Sequence, residues 1–150
     1  MKLTIGDRDY TLRFSVEASL CEECVSKVTD FMVLSYQASD SDDLRKSVSE
    51  SISNVSTTAL AALYGGLLEN HSDEIKSMTD ARNLAKTYLL ENQDNEKGNW
   101  FSLLNTLIEA MSEDGFFKLI GLEELMERAS QAEDEQPKPA KKVSAKATRK

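Results

Sequence analysis

With 150 residues, 40% hydrophobic and 29% charged, the chain has the length of one domain and enough apolar material for one core. Its net charge of −8 is unevenly spread: residues 1–137 carry 12 basic against 26 acidic side chains, net −14, whereas residues 138–150 carry six basic and no acidic ones. An acidic body repels a phosphate backbone, which argues against nucleic-acid binding by the folded part, and no run approaches the roughly 18 apolar residues of a membrane span.

The first elements alternate apolar and polar side chains. Leu3 and Ile5 share one face of a first strand, and Tyr10, Leu12 and Phe14 share one face of a second, with Gly6-Asp7-Arg8 between them. This predicts a β-hairpin with a loop of three or four residues, lying against a helix because an isolated hairpin is marginal in water. No apolar signal segment follows the single lysine of the N-terminus, so the expected compartment is the cytoplasm, with no membrane partner.

From Ser15, a candidate N-cap, the period becomes helical. Val16, Leu20, Cys24 and Val28 step by four and Phe31 and Met32 continue the face, predicting a first helix over about 16–34. Residues 39–43 (Ser-Asp-Ser-Asp-Asp) are rich in capping side chains, and Leu44, Val48, Ile52 and Val55 then recur at helical spacing among serines. The apolar run 59–68 prolongs this second helix. Gly65-Gly66 inside it costs about 1 kcal/mol per glycine relative to alanine, so the pair marks either a close helix crossing or a break, and we favour the crossing.

A third helix collects Ile75, Met78, Ala81, Leu84, Ala85, Tyr88 and Leu89, with Ser77 and Asp80 at capping-box spacing and an end near Glu91-Asn92. Asn99 caps a fourth, whose face is Trp100, Leu103, Leu104, Leu107, Ile108 and Met111. Asp114-Gly115 interrupts it, and a fifth helix from Phe116 closes near Arg128. The fold class expected is mainly α: a small N-terminal β-hairpin packed on a bundle of about five helices over residues 1–129, with a disordered basic tail over 130–150. The tail holds both prolines of the chain and no large apolar group before Val143.

Cys21-Glu22-Glu23-Cys24 has the CxxC spacing of redox and metal sites. Placed one to two turns inside the first helix, with two carboxylates between the thiols, it suits packing better than thiolate chemistry, and with His71 the chain's single histidine it falls short of four zinc ligands. His71 closes the second helix, where a histidine favours the helix dipole. No Ser/His/Asp set and no phosphate-binding glycine motif occurs, and no carboxylate pair stands out, so the expectation is a protein without enzymatic activity, metal or cofactor. The candidate residues for a core or a partner groove are the apolar helical positions Leu60, Leu63, Tyr64, Leu67, Leu103, Leu107, Phe116 and Phe117.

A short strand, Gly6, Tyr10 and a strand ending Arg13-Phe14, then at once a helix, a set of acidic helices and a charged C-terminus: this order resembles the tail assembly chaperones of long-tailed, siphovirus-type bacteriophages. The resemblance spans about residues 1–128 as an order of elements. It implies a protein that binds and solubilises the tape measure protein during tail morphogenesis and is absent from the mature virion. It also implies self-association, and a longer form made by translational frameshift that recruits the tail tube protein. The alternatives are a small DNA-associated regulator anchored weakly by the basic tail, and a thiol or metal protein built on Cys21 and Cys24.

Overall fold

The computed structural model describes residues 1–38 and 44–135. The capping run 39–43 and the basic tail from Gln136 lie outside the described residues. The described chain is mainly α-helical with one two-stranded sheet, as the sequence predicts. It divides into two compact units, residues 1–120 and a second beginning at Gly121.

Strands β1 (Lys2–Ile5) and β2 (Arg8–Thr11) pair antiparallel, Leu3 facing Tyr10 and Ile5 facing Arg8. The loop is therefore two residues, Gly6 and Asp7, rather than the three or four expected. Both hold positive φ, +58° and +64°, the combination of a type I′ turn, whose twist matches that of the strands. Leu3, Ile5 and Tyr10, with Leu12 and Phe14 beyond the strand, are buried. On the open face the Thr4 hydroxyl donates across the strands to Asp9 at 2.6 Å.

The predicted first helix is two: α1 (Val16–Ser19) and α2 (Glu22–Ala38), broken at Leu20-Cys21. Geometry gives the reason. Ala18 and Cys24 are both fully buried, and a β-carbon placed at Gly65 would meet both side chains. Six residues apart on one unbroken α-helix, they would point about 120° away from each other. The break turns both toward the same glycine and leaves Val16 and Leu20, assigned to the buried face by the four-residue step, 58% and 74% exposed.

Helix α3 (Leu44–His71) is continuous through both glycines and is the axis of the first unit, packing against α1, α2, α4, α5 and β2. The close crossing is there: a β-carbon on Gly65 would lie 2.5 Å from Cys24 Sγ, and one on Gly66 would lie 2.7 Å from Phe14 Cζ. The Gly66 carbonyl also accepts the Arg13 N–H at 2.9 Å, tying the hairpin's exit to the helix.

Helix α4 (Met78–Glu91) starts at Ser77, whose side chain accepts from Asp80 N–H, while the Asp80 carboxylate accepts from Lys76 N–H at 2.9 Å. Helix α5 (Trp100–Glu113) starts at Asn99, whose side-chain oxygen accepts from Ser102 N–H at 2.9 Å. Both caps stand where the sequence predicts them. The predicted fifth helix is again two, α6 (Phe116–Leu119) and α7 (Leu122–Glu135), separated at Gly121 with φ +81°. Helix α7 runs past the expected end near Arg128, and past the 129/130 domain boundary, because residues 129–135 are mostly alanine, glutamate and glutamine, good helix formers, and no glycine or proline stops it before Pro137.

Candidate partner-binding surface

The sequence candidates separate by burial. Leu63, Leu67, Leu103, Leu107, Phe116 and Phe117 are buried and form core with Phe14, Leu12 and Met111. Phe14 and Phe116 meet edge-on with ring centres 5.8 Å apart, and Phe116 meets Phe117 similarly at 6.2 Å. Leu60 and Tyr64 are half-buried. None of the eight is a large exposed apolar side chain; Leu60 and Tyr64 stand at the edge of the core, and the more exposed apolar surface is made by others.

That surface gathers around Trp100, which the sequence assigns to the core face of α5. Trp100 is half-buried at the first position of the helix, at the edge of the core, and the next residue, Phe101, is 58% exposed. Across from them on α3, Ile52 is 67% exposed although its spacing puts it with Val55, which is buried. Ile52, Val55, Trp100 and Phe101 line a hollow of about 390 Å³ between α3 and α5. Trp100 also borders a second hollow of about 470 Å³ on α4, lined by Arg82, Lys86 and Leu89 among others. Trp100 thus lines both hollows. Sequence reasoning missed Phe101, and a signal was present: neighbours on a helix lie about 100° apart, so Trp100 and Phe101 cannot both follow the Leu103-Leu104-Leu107 stripe.

A third hollow of about 390 Å³ lies between α2 and α3, where Lys27 and Asp30 stand beside Phe31 and Leu34. Thr58 lines it and is the one buried polar side chain among the described residues.

The cysteine pair is not inside a helix, as the sequence suggests, but at the start of one. The Cys21 carbonyl accepts the Val25 N–H at 3.0 Å, so Cys21 precedes the first turn of α2 and Cys24 lies within it. Cys21 is half-buried; Cys24 is fully buried against Gly65, and burial, with a smaller contribution from Cys21, pushes its thiol up to about 12. The helix start that would favour a thiolate is thus outweighed at Cys24 by the loss of solvent. Among the described residues no group of three or more histidine, cysteine, aspartate or glutamate side chains could hold a metal ion.

His71 closes α3 but does more there than meet the helix dipole. Its Nε2 accepts the Thr11 N–H at 3.0 Å and its ring lies 5.1 Å from that of Tyr10. An acceptor Nε2 requires the neutral ring with its proton on Nδ1. Beside it Arg8 and Glu74 form a bidentate ion pair, and the Arg8 guanidinium sits 4.9 Å over the Tyr10 ring. The hydrogen bonds to Arg8 hold the Glu74 carboxyl below its usual range. Together with Gly6 N–H donating to Glu91 and Phe14 N–H donating to Asp114, these contacts fasten the hairpin to α3, to α4 and to the end of α5.

No described helix is long and apolar enough to cross a membrane. In comparisons with known proteins, no family model, no curated protein and no solved structure matches this chain.

Proposed function

We propose that the chain is a tail assembly chaperone: a non-enzymatic protein of the host-cell cytoplasm that binds and solubilises a phage tape measure protein during tail morphogenesis and is absent from the mature virion. The observation that carries this reading is the surface of Trp100, Phe101 and Ile52, apolar side chains left open on an acidic helical body. Exposed aromatic and aliphatic groups rimmed by polar ones suit the apolar stripe of a partner helix, and the excess negative charge keeps the complex dispersed. The hairpin followed at once by helices supports it as the order of elements that the resemblance rests on. In this reading a frameshifted longer form extends the chain and meets the tail tube protein.

The test is co-expression with the tape measure protein that this reading expects to be encoded beside it. The expected result is a soluble, co-purifying partner that is insoluble when expressed alone. A partner that is soluble alone and passes this chain by would overturn the proposal.

A further inference from the structure

The cysteine pair is the one sequence motif that a partner-binding role leaves without a use. Inside a regular helix the two thiols would not join, because β-carbons three residues apart stand about 5–6 Å from each other and a disulfide needs about 3.5–4.5 Å. The structure places the pair differently. Cys21 lies in the break between α1 and α2, outside regular helix, and its carbonyl accepts the Val25 N–H at 3.0 Å, which makes it the residue that opens α2. Cys24 is the third residue of that helix. Helical spacing therefore does not hold the Cys21 side chain away from Cys24, and the two are close enough for the charge of one to act on the other.

Access divides the two thiols. Cys21 is half-buried and within reach of a reagent, whereas Cys24 is fully buried against Gly65. An accessible cysteine at the opening of a helix, followed three residues on by a buried one, is the arrangement of a dithiol that closes on itself. The first thiol meets the oxidant. The second is shielded from it and has only the first to react with. Glu22 and Glu23 between them are exposed, so neither side chain stands in the packed layer where Cys24 lies.

We propose that Cys21 and Cys24 form a reversible intrachain disulfide, with a low-molecular-weight disulfide as the oxidant. The Cys21 thiolate attacks one sulfur of the oxidant, whose S–S bond breaks as a mixed disulfide forms on Cys21. The departing thiolate takes up the proton that Cys21 has lost. Cys24, deprotonated in its turn, attacks the Cys21 sulfur; the protein disulfide forms, the mixed disulfide breaks, and the second thiolate leaves with the Cys24 proton. Two electrons have then passed from the cysteine pair to the oxidant, which ends as two thiols. The second step is the slow one, since burial keeps Cys24 protonated. A dithiol reductant runs both steps backward. None of this involves Trp100, Phe101 or Ile52, so the site stands independently of the tape measure reading.

The experiment exposes the full chain, reduced and freed of reductant, to glutathione disulfide at about pH 8, where an ordinary thiol is partly ionised. Acid-quenched samples are read by intact mass and peptide mapping. The expected course is a transient glutathione adduct on Cys21, then a chain lighter than the reduced form by two hydrogens, with both thiols closed to alkylation and restored by dithiothreitol. Cys24→Ser should stop at a stable adduct on Cys21, and if that variant melts lower than the wild type, Cys24→Ala gives the same comparison. Cys21→Ser should stay unmodified while it is folded, because Cys24 is shielded. Closure in the wild type should hardly change with urea below the unfolding transition, as it needs no opening of the fold. A wild type that stops at the adduct, a Cys21→Ser chain that reacts as fast as the wild type, or a bond formed between chains instead of within one would each overturn the proposal. So would closure that accelerates several-fold in sub-denaturing urea, which would make the pair a packed thiol and its neighbour that meet only on unfolding.

Discussion

The Cys24 side chain is enclosed between α2 and the Gly65 backbone, and burial, more than the neighbouring Cys21, raises its thiol to about 12. At pH 8 a shift of that size leaves its thiolate roughly a thousandfold scarcer than in an ordinary cysteine. Alkylation followed by peptide mapping should therefore label half-buried Cys21 in the native protein and reach Cys24 only in denaturant. Equal labelling at neutral pH would show that the α2–α3 seam opens. Near the hairpin, Arg8 keeps the Glu74 carboxyl below its unfolded value, so the pair contributes stability above the ordinary carboxylate range and loses it as the pH falls below about 4.3. Acid unfolding should accordingly be less steep in Glu74→Gln than in the wild type over that window. His71 acts through geometry instead: His71→Phe keeps a ring against Tyr10 but removes the acceptor for Thr11 N–H, and should cost about 1–2 kcal/mol in urea denaturation.

At the scale of elements, two glycines decide how α3 meets its neighbours. Replacing a helical glycine by alanine ordinarily gains up to about 1 kcal/mol, but at Gly65 the new methyl group would lie 2.5 Å from Cys24 Sγ and 2.8 Å from its Cβ. Overpacking of this kind costs about 1–3 kcal/mol, so Gly65→Ala should destabilise on balance. Cys24→Ala should relieve part of that loss by removing the sulfur, a coupling that a double-mutant cycle in denaturant would read. This crossing was legible from the sequence as one of two readings, since a Gly-Gly pair in an otherwise apolar helix marks either a close approach or a break, and the continuous α3 decides for the first. The caps at Ser77 and Asn99 and the alternation of the hairpin were legible too, since each depends on residues within a few positions. The breaks at Leu20-Cys21 and at Gly121 were not. Val16, Leu20, Cys24 and Val28 fit one helical stripe, and only the location of Gly65 in space turns Ala18 inward and Leu20 out. The Trp100 surface was hidden for a similar reason: the indole follows the core stripe of α5, and its half exposure comes from standing at the edge of the packed layer.

For the whole molecule the question is which apolar groups hold the fold together and which are left for a partner. Phe116 is fully buried between Phe14 and Phe117, and Phe101, on the preceding helix, is 58% exposed beside Trp100 and Ile52. Phe116→Ala should therefore cost about 3–5 kcal/mol, a large share of the roughly 5–15 kcal/mol that stabilises a domain, and should lower the yield of the chain itself. Phe101→Ala should change stability by no more than about 0.5 kcal/mol, because little packing is lost at an exposed position. If the open surface binds the apolar face of a helical partner, the same substitution should sharply reduce recovery of that partner in co-expression while the chain remains folded. The two variants together separate the alternatives: loss of binding only with loss of fold would place the contact elsewhere, and loss of binding in a protein of normal melting temperature would assign it to the surface around Trp100.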